Sequence, residues 1–207
     1  MKAKTKDNKK LKVNMTVELL IGDLNRNLLD NPFDAGHDFL HHQEVYNNCV
    51  YIVHNEKMDV DMNALSLAAW WHDYERNNEE ENRRILREFG RNRNVDSELI
   101  DKVIGIISSH SYGEKQQTVE QKVLFDADKI EYANVRRFRR VMAAVDSNQM
   151  SFLVWGKYKK AWQDRIPQVR AQLHFEASKD RFDEYFVGLA DFIKSDPRLE
   201  ELLPIVL

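Results

Sequence analysis

One cysteine, Cys49, stands in a chain of 207 residues. No disulfide can therefore form within the chain, which fits a reducing, cytoplasmic setting. Glycine and proline number only seven and four, and that scarcity argues against an all-β fold with its many turns. No run of about 18 apolar residues occurs, so no membrane span is expected. The opening MKAKTKDNKKLKVN is charged and lacks the apolar stretch of a secretory signal. Residues 1–12 are expected to be a solvated, poorly ordered lysine-rich tail. A formal net charge of −3 lacks the basic excess that binds nucleic acid, so no such polymer is an expected partner.

What is present is the composition of a globular protein, 43% hydrophobic and 31% charged. That is enough to bury a substantial core, and with no internal repeat or low-complexity linker one domain is expected over residues 13–207. Helical periodicity runs through it. Met15, Val17, Leu19, Leu20 and Leu24 mark a helix from Val13 to about Leu29, before the punctuation DNPFDAGHD with Pro32 and Gly36. A second helix is expected from about Asp38 to Asn55, with Val45, Cys49, Ile52 and Val53 as its stripe. Met62, Leu65, Ala68 and Ala69 mark a third. EEENRRILREFG reads as a short helix closed by Gly90. DSELIDKVIGIISSH follows, with Asp96 or Ser97 as N-cap. Thr118 and Gln121 form a capping-box pattern at the head of a segment reaching Val145, read as one helix or two. Two amphipathic stretches complete the chain, about 151–176, with Pro167 expected to kink or divide it, and about Lys179–Ile193. No alternating strand is found. The fold class is all-α, with a C-terminal extension of about 151–207 whose aromatics, among them Trp155, Trp162, Phe182 and Phe186, read as core; capping a pocket or forming a homodimer contact are the alternatives.

Four of these apolar stripes run into an ionisable residue. His41 precedes Val45 and Cys49 at steps of four. His72 ends the stripe of Leu65 and Ala68, with Asp73 beside it. His110 ends that of Ile100, Val103 and Ile107, and Asp128 follows Leu124 by four. If those ends meet, two of the three imidazoles and the two carboxylates form a mixed nitrogen and oxygen set. Such a set holds a divalent cation and leaves positions for water and substrate. The cation would lower the pKa of bound water and neutralise charge on a phosphate oxygen.

The order of GHDFLHHQEVYN, AAWWHDYE and LFDADKIE resembles the HD-domain metal-dependent phosphohydrolase superfamily, over about residues 33–140. IISSHSYGE before DAD is similar to its bacterial and archaeal branch. The resemblance implies an all-α fold and one divalent metal (Mn, Mg, Co, Ni, Zn or Fe) held by His41, His72, Asp73 and Asp128. It also implies hydrolysis of a phosphate ester or anhydride of a nucleotide or another small phosphorylated metabolite. Asp73 also orients the water, and His110 is expected at the leaving group or a phosphate oxygen as proton donor or hydrogen-bond partner. Arg76 and Lys129 are the nearest basic candidates for phosphate, and His37, one turn before His41, is a candidate for lining the pocket.

Two departures bear on details. Glu44 stands where the branch often has an arginine, three residues after its first histidine. Asp126 competes with Asp128 for the last ligand position; helical geometry does not choose between them, and the family pattern favours Asp128. His42 is expected either to be exposed or to pack between helices. Two other functions stand as alternatives: a non-catalytic nucleotide-sensing or partner-binding module, and, on a lower footing, a di-iron oxygenase. The last needs further histidines between the doublet and the final aspartate, where only His110 lies.

Overall fold

Nine α-helices follow one another through residues 13–30, 34–75 and 78–207, which are the residues described in this computed structural model. The lysine-rich segment, Pro32 and Arg76 lie outside them. The helices are α1 (Met15–Asp30), α2 (Phe39–Asn55), α3 (Met62–Trp71), α4 (Glu79–Asn92), α5 (Ser97–Ile107), α6 (Val119–Ile130), α7 (Val135–Asp146), α8 (Phe152–Gln172) and α9 (Glu176–Ser195). A 3-10 turn, Glu131–Ala133, joins α6 to α7, and a 3-10 segment, Pro197–Ile205, follows α9. Among the described residues there is no strand, as an all-α chain requires. No helix among them is long and apolar enough to cross a membrane.

Side-chain caps start the helices that matter most. Asp38 accepts from the His41 N–H, Asp61 from Asn63 and Ala64, and Asp96 from Glu98. Thr118 and Gln121 make both bonds of the capping box on α6. Each cap satisfies a first-turn N–H that the helix leaves free, worth about 1 kcal/mol.

Gly90 does not close α4, which continues to Asn92. A Cβ at Gly90 would lie 2.7 Å from Ile100 Cγ1, so the glycine serves the close approach of α4 to α5. The stop is Asn94, at φ 53°, with the Val95 N–H returning to Gly90 O at 3.0 Å. This is the left-handed termination that asparagine tolerates. The Thr118–Val145 segment is two helices, parted where the Asn134 side chain caps α7. Pro167 lies inside α8 without dividing it. α5 ends at Ile107, so His110 sits in the loop beyond rather than on the helix.

α2 packs on α3 and α6, and α3 also packs on α5. Val45, Leu65, Ala68, Val103 and Leu124 are all completely buried in that bundle. Each large aliphatic so placed stabilises the fold by about 1.5–3 kcal/mol. The alanines of α3 let its neighbours come close, which draws the stripe ends of α2, α3 and α6 together. In the C-terminal helices Trp162 and Phe182 are buried, Trp162 stacked on Phe138 with ring centroids 4.0 Å apart.

Candidate metal centre

His41 lies in the first turn of α2, its backbone held by Asp38 at 3.0 Å. His72 is the C-cap of α3, and its N–H donates to Ala68 O. The His72 Nδ1–H donates to Ala69 O at 2.8 Å, which leaves Nε2 as a bare lone pair. That atom faces His41 Nε2 at 3.2 Å. Asp73 Oδ2 lies 3.6 Å from His72 Nε2 and 3.7 Å from His41 Nε2. Asp128 Oδ1, from α6, lies 3.6 Å from His41 Nε2 and 3.9 Å from His72 Nε2. His41, His72 and Asp73 offer ligand atoms that all lie within 4.8 Å of one another, and all three residues are buried. Donor atoms about 2.1 Å from a shared ion stand roughly 3–3.5 Å apart, close to these separations. Two imidazole nitrogens and two carboxylate oxygens converging from three helices on one buried space are a donor set that fits a divalent metal.

Asp126 is turned away by roughly 200° of helix. Its carboxylate accepts from the His174 N–H at 2.8 Å, the Phe175 N–H at 3.1 Å and His174 Nδ1 at 2.8 Å. It ties down the α8–α9 connection and has no reach to the cluster. Of the two competing aspartates, Asp128 is the one beside the imidazoles.

Glu131 was not singled out in the sequence, although it follows Asp128 by three and so shares its helix face. It is completely buried, receives Asn134 Nδ2 at 2.6 Å on Oε1, and holds Oε2 3.7 Å from His41 Nδ1. Neither that Oε2 nor His41 Nδ1 makes a hydrogen bond. A carboxylate behind a ligating imidazole orients the ring and raises its basicity. Glu131→Gln should weaken divalent-metal affinity about 10- to 100-fold in a metal titration; an affinity equal to the parent's would remove Glu131 from that role.

The remaining residues surround the cluster. His110 Nδ1–H donates to Ile107 O at 2.6 Å, and its Nε2 stands 3.5 Å from Asp73 Oδ1. His37 Nε2 lies 3.9 Å from Asp73 Oδ2. Lys129 Nζ donates to Asp128 and lies 4.7 Å from the Tyr112 ring centroid. Arg137 on α7, absent from the sequence expectations, is 4% exposed and borders the same space. The run VRRFRRV gives no sign of which arginine turns inward; packing on α8 and α9 decides it. Glu44 pairs with Arg136 at 3.2 Å and does not line the cavity. His42 is fully buried, its ring centroid 4.9 Å from that of His72, so it packs between helices. Above the cluster opens a cavity of about 430 Å³ whose wall carries His110, Lys129, Arg137 and Arg165 on the one hand and Glu75, Glu79 and Glu114 on the other, a size suited to a small-molecule ligand.

Burial sets much of the electrostatics. It drives His72 down to about 3. Burial and Arg137 also pull His41 down, yet the nearby carboxylates of Asp73, Glu131 and Asp128 lift it above its ordinary value. Burial would raise both carboxyls, but His72, His110 and His41 hold Asp73 well below the usual range. Lys129, His72 and His41 do the same for Asp128. A raised His41 pKa means that the metal-free site keeps a proton to a pH above 6.5, and a cation must displace it. Metal affinity should therefore climb with pH through and beyond 6.5, by about tenfold per unit while one proton is released. Calorimetric titration at several pH values measures this, and a flat profile across that window would contradict it.

No protein-family model matches the chain, and no curated protein matches it. Solved structures do. The Lin1889 protein of Listeria innocua is similar at 23% identity over 87% of this chain and 95% of its own, with a TM-score of 0.64. An HD-superfamily hydrolase of Bacillus thuringiensis is similar at 17% identity over 86% of this chain and 93% of its own, TM-score 0.63. YpgQ of Bacillus subtilis, solved in complex with ADP, is similar at 20% identity over 90% of this chain and all of its own, TM-score 0.58. The chain has the all-α fold of the HD superfamily.

Proposed function

We propose that the protein is a metal-dependent phosphohydrolase that cleaves a phosphate ester or anhydride of a nucleotide or another small phosphorylated metabolite. One observation carries the reading: two buried imidazoles present Nε2 atoms 3.2 Å apart, with Asp73 and Asp128 beside them, at a cavity whose wall carries Lys129, Arg137 and Arg165 as well as acidic residues. Similarity to a fold that includes a hydrolase and an ADP complex supports it.

His41, His72, Asp73 and Asp128 would hold the ion. Bound there, a divalent cation supplies acidified water near neutral pH and offsets negative charge on phosphate. The protein's own groups do the rest. Asp73 Oδ1 lies on the side facing His110 and is suited to orient the attacking water and take its proton. The proton that Asp73 takes from water passes to His110 Nε2, 3.5 Å from Oδ1, and from there to the leaving oxygen, the ring being fixed by the Nδ1–H bond to Ile107. Lys129 balances Asp128 and, with Arg76 outside the described residues, is assigned to phosphate oxygens, while His37, its ring nitrogens engaged by Asp34 and Arg137, lines the cavity.

The test is phosphate release from nucleotides and simple phosphate esters, with Mn²⁺, Mg²⁺, Co²⁺ and Ni²⁺ supplied separately. Turnover is expected with at least one ion, and loss of turnover on chelation. His110→Ala should lower kcat about 100-fold or more while metal affinity stays close to the parent's. Turnover undiminished in Asp128→Ala would refute the mechanism.

A further inference from the structure

The His72–Asp73 pair stands in a turn rather than on a helix. α3 ends at Trp71, its hydrogen bonding reaches His72, and the Tyr74 N–H then returns to Trp71 O at 3.0 Å. A turn places side chains less firmly than a helix does, yet the ligands of one ion must be held to within about 0.5 Å. The residues on either side of the pair supply what the turn lacks. The Trp71 and Tyr74 rings stack on one another, with centroids 4.5 Å apart and planes at 23°. His72 and Asp73 therefore span a loop closed by two aromatic side chains.

Each ring is tied to a different helix. The Trp71 Nε1–H donates to Asn82 Oδ1 of α4 at 2.7 Å, and the Tyr74 hydroxyl accepts from Asn27 Nδ2 of α1. Packing alone does not require these bonds: Trp71 is 1% exposed and also meets Phe89, and a phenylalanine would bury its ring there as well. An indole N–H can only donate, so Asn82 must turn Oδ1 toward it. That fixes the amide and the rotation of the ring together. Asn82 is itself 4% exposed, and a directional bond between two buried groups resists the sliding that apolar contact permits.

We propose that Asn82, acting through Trp71, is a positioning residue for the His72–Asp73 pair. The stacked rings, bonded to α4 and α1, set the turn before any ion arrives. This rests on His72 and Asp73 being metal ligands, but its test does not depend on turnover.

Calorimetric titration with Mn²⁺, well below the Tm of each variant, reads how the ligands are placed. Asn82→Leu keeps the volume and removes the acceptor. Trp71→Phe keeps an aromatic ring and removes the donor. Each should weaken Mn²⁺ affinity about tenfold or more, and Tyr74→Phe should act in the same direction. Asn82→Asp keeps an oxygen facing the indole and should bind Mn²⁺ within about threefold of the parent. Trp71→Phe combined with Asn82→Leu leaves neither partner of the bond unsatisfied, so Tm should recover while Mn²⁺ affinity stays about tenfold low. A merely structural pair would lower Tm in the single variants without moving the Mn²⁺ affinity of the folded protein. Affinity within about threefold of the parent's in Trp71→Phe, or an Asn82→Asp protein as weak as Asn82→Leu, overturns the proposal; Trp71→Phe decides alone if the asparagine variants do not fold. Weakened Mn²⁺ binding in variants of a protein that releases phosphate from no compound keeps the positioning role and removes the hydrolase reading. Phosphate release by a parent whose Mn²⁺ affinity is indifferent to these substitutions does the reverse.

Discussion

Asp73→Ala should yield a folded protein that retains no divalent ion after purification and hydrolyses phosphate compounds at least about a thousandfold more slowly than the parent. The expectation follows from geometry. Asp73 Oδ2 is the oxygen facing both Nε2 atoms, and Oδ1 faces His110, so one substitution removes a ligand and the group that orients water. The fold should tolerate the change. Asp73 follows the end of α3 and bounds a cavity rather than filling the core. Metal analysis, a thermal melt and initial rates make the test. Metal content and rate both within about tenfold of the parent would mean that the doublet is not the centre of the site.

Asp126→Ala and Asp128→Ala should part company, although the two aspartates are one residue from each other. Asp126 receives three N–H groups from the α8–α9 connection. Its removal leaves these part-buried donors without an acceptor and should cost about 1–3 kcal/mol, lowering Tm by about 3–10 °C in a domain of this size. Asp128 borders the cavity and serves the cluster, so its removal should abolish turnover, at a cost in Tm set by the buried Lys129 ammonium that it leaves without a carboxylate. A stable, inactive Asp126→Ala beside an unstable, active Asp128→Ala would exchange their roles. Differential scanning calorimetry paired with the phosphate assay decides between them.

The helices were legible because their signals are local. A buried stripe repeats every three or four residues, and a cap needs only neighbours, so α2, α3, α5 and α6 stand where Val45, Leu65, Val103, Thr118 and Gln121 imply. The errors were local as well. Gly90 has the look of a stop, but its missing Cβ makes room for Ile100 from another helix. Pro167 has the look of a break, yet α8 runs through it. Glu131 shares a face with Asp128 and was within reach of the same reasoning.

What the sequence determined by itself is the inventory: an all-α chain, four apolar stripes each running into an ionisable residue, and the succession of His41, His72–Asp73 and Asp128 that resembles one superfamily. Periodicity and order along the chain suffice for that. The tertiary structure alone decided which groups meet. Asp126 and Asp128 are equivalent to any argument from spacing, and α9 distinguishes them by offering the backbone N–H groups of its approach to only one. Arg137 is one of four arginines in a single short run, and only the packing of α7 buries it against His37, more than ninety positions away. The fate of a charged side chain depends on what lies opposite it, and for these residues the opposite wall comes from distant parts of the chain.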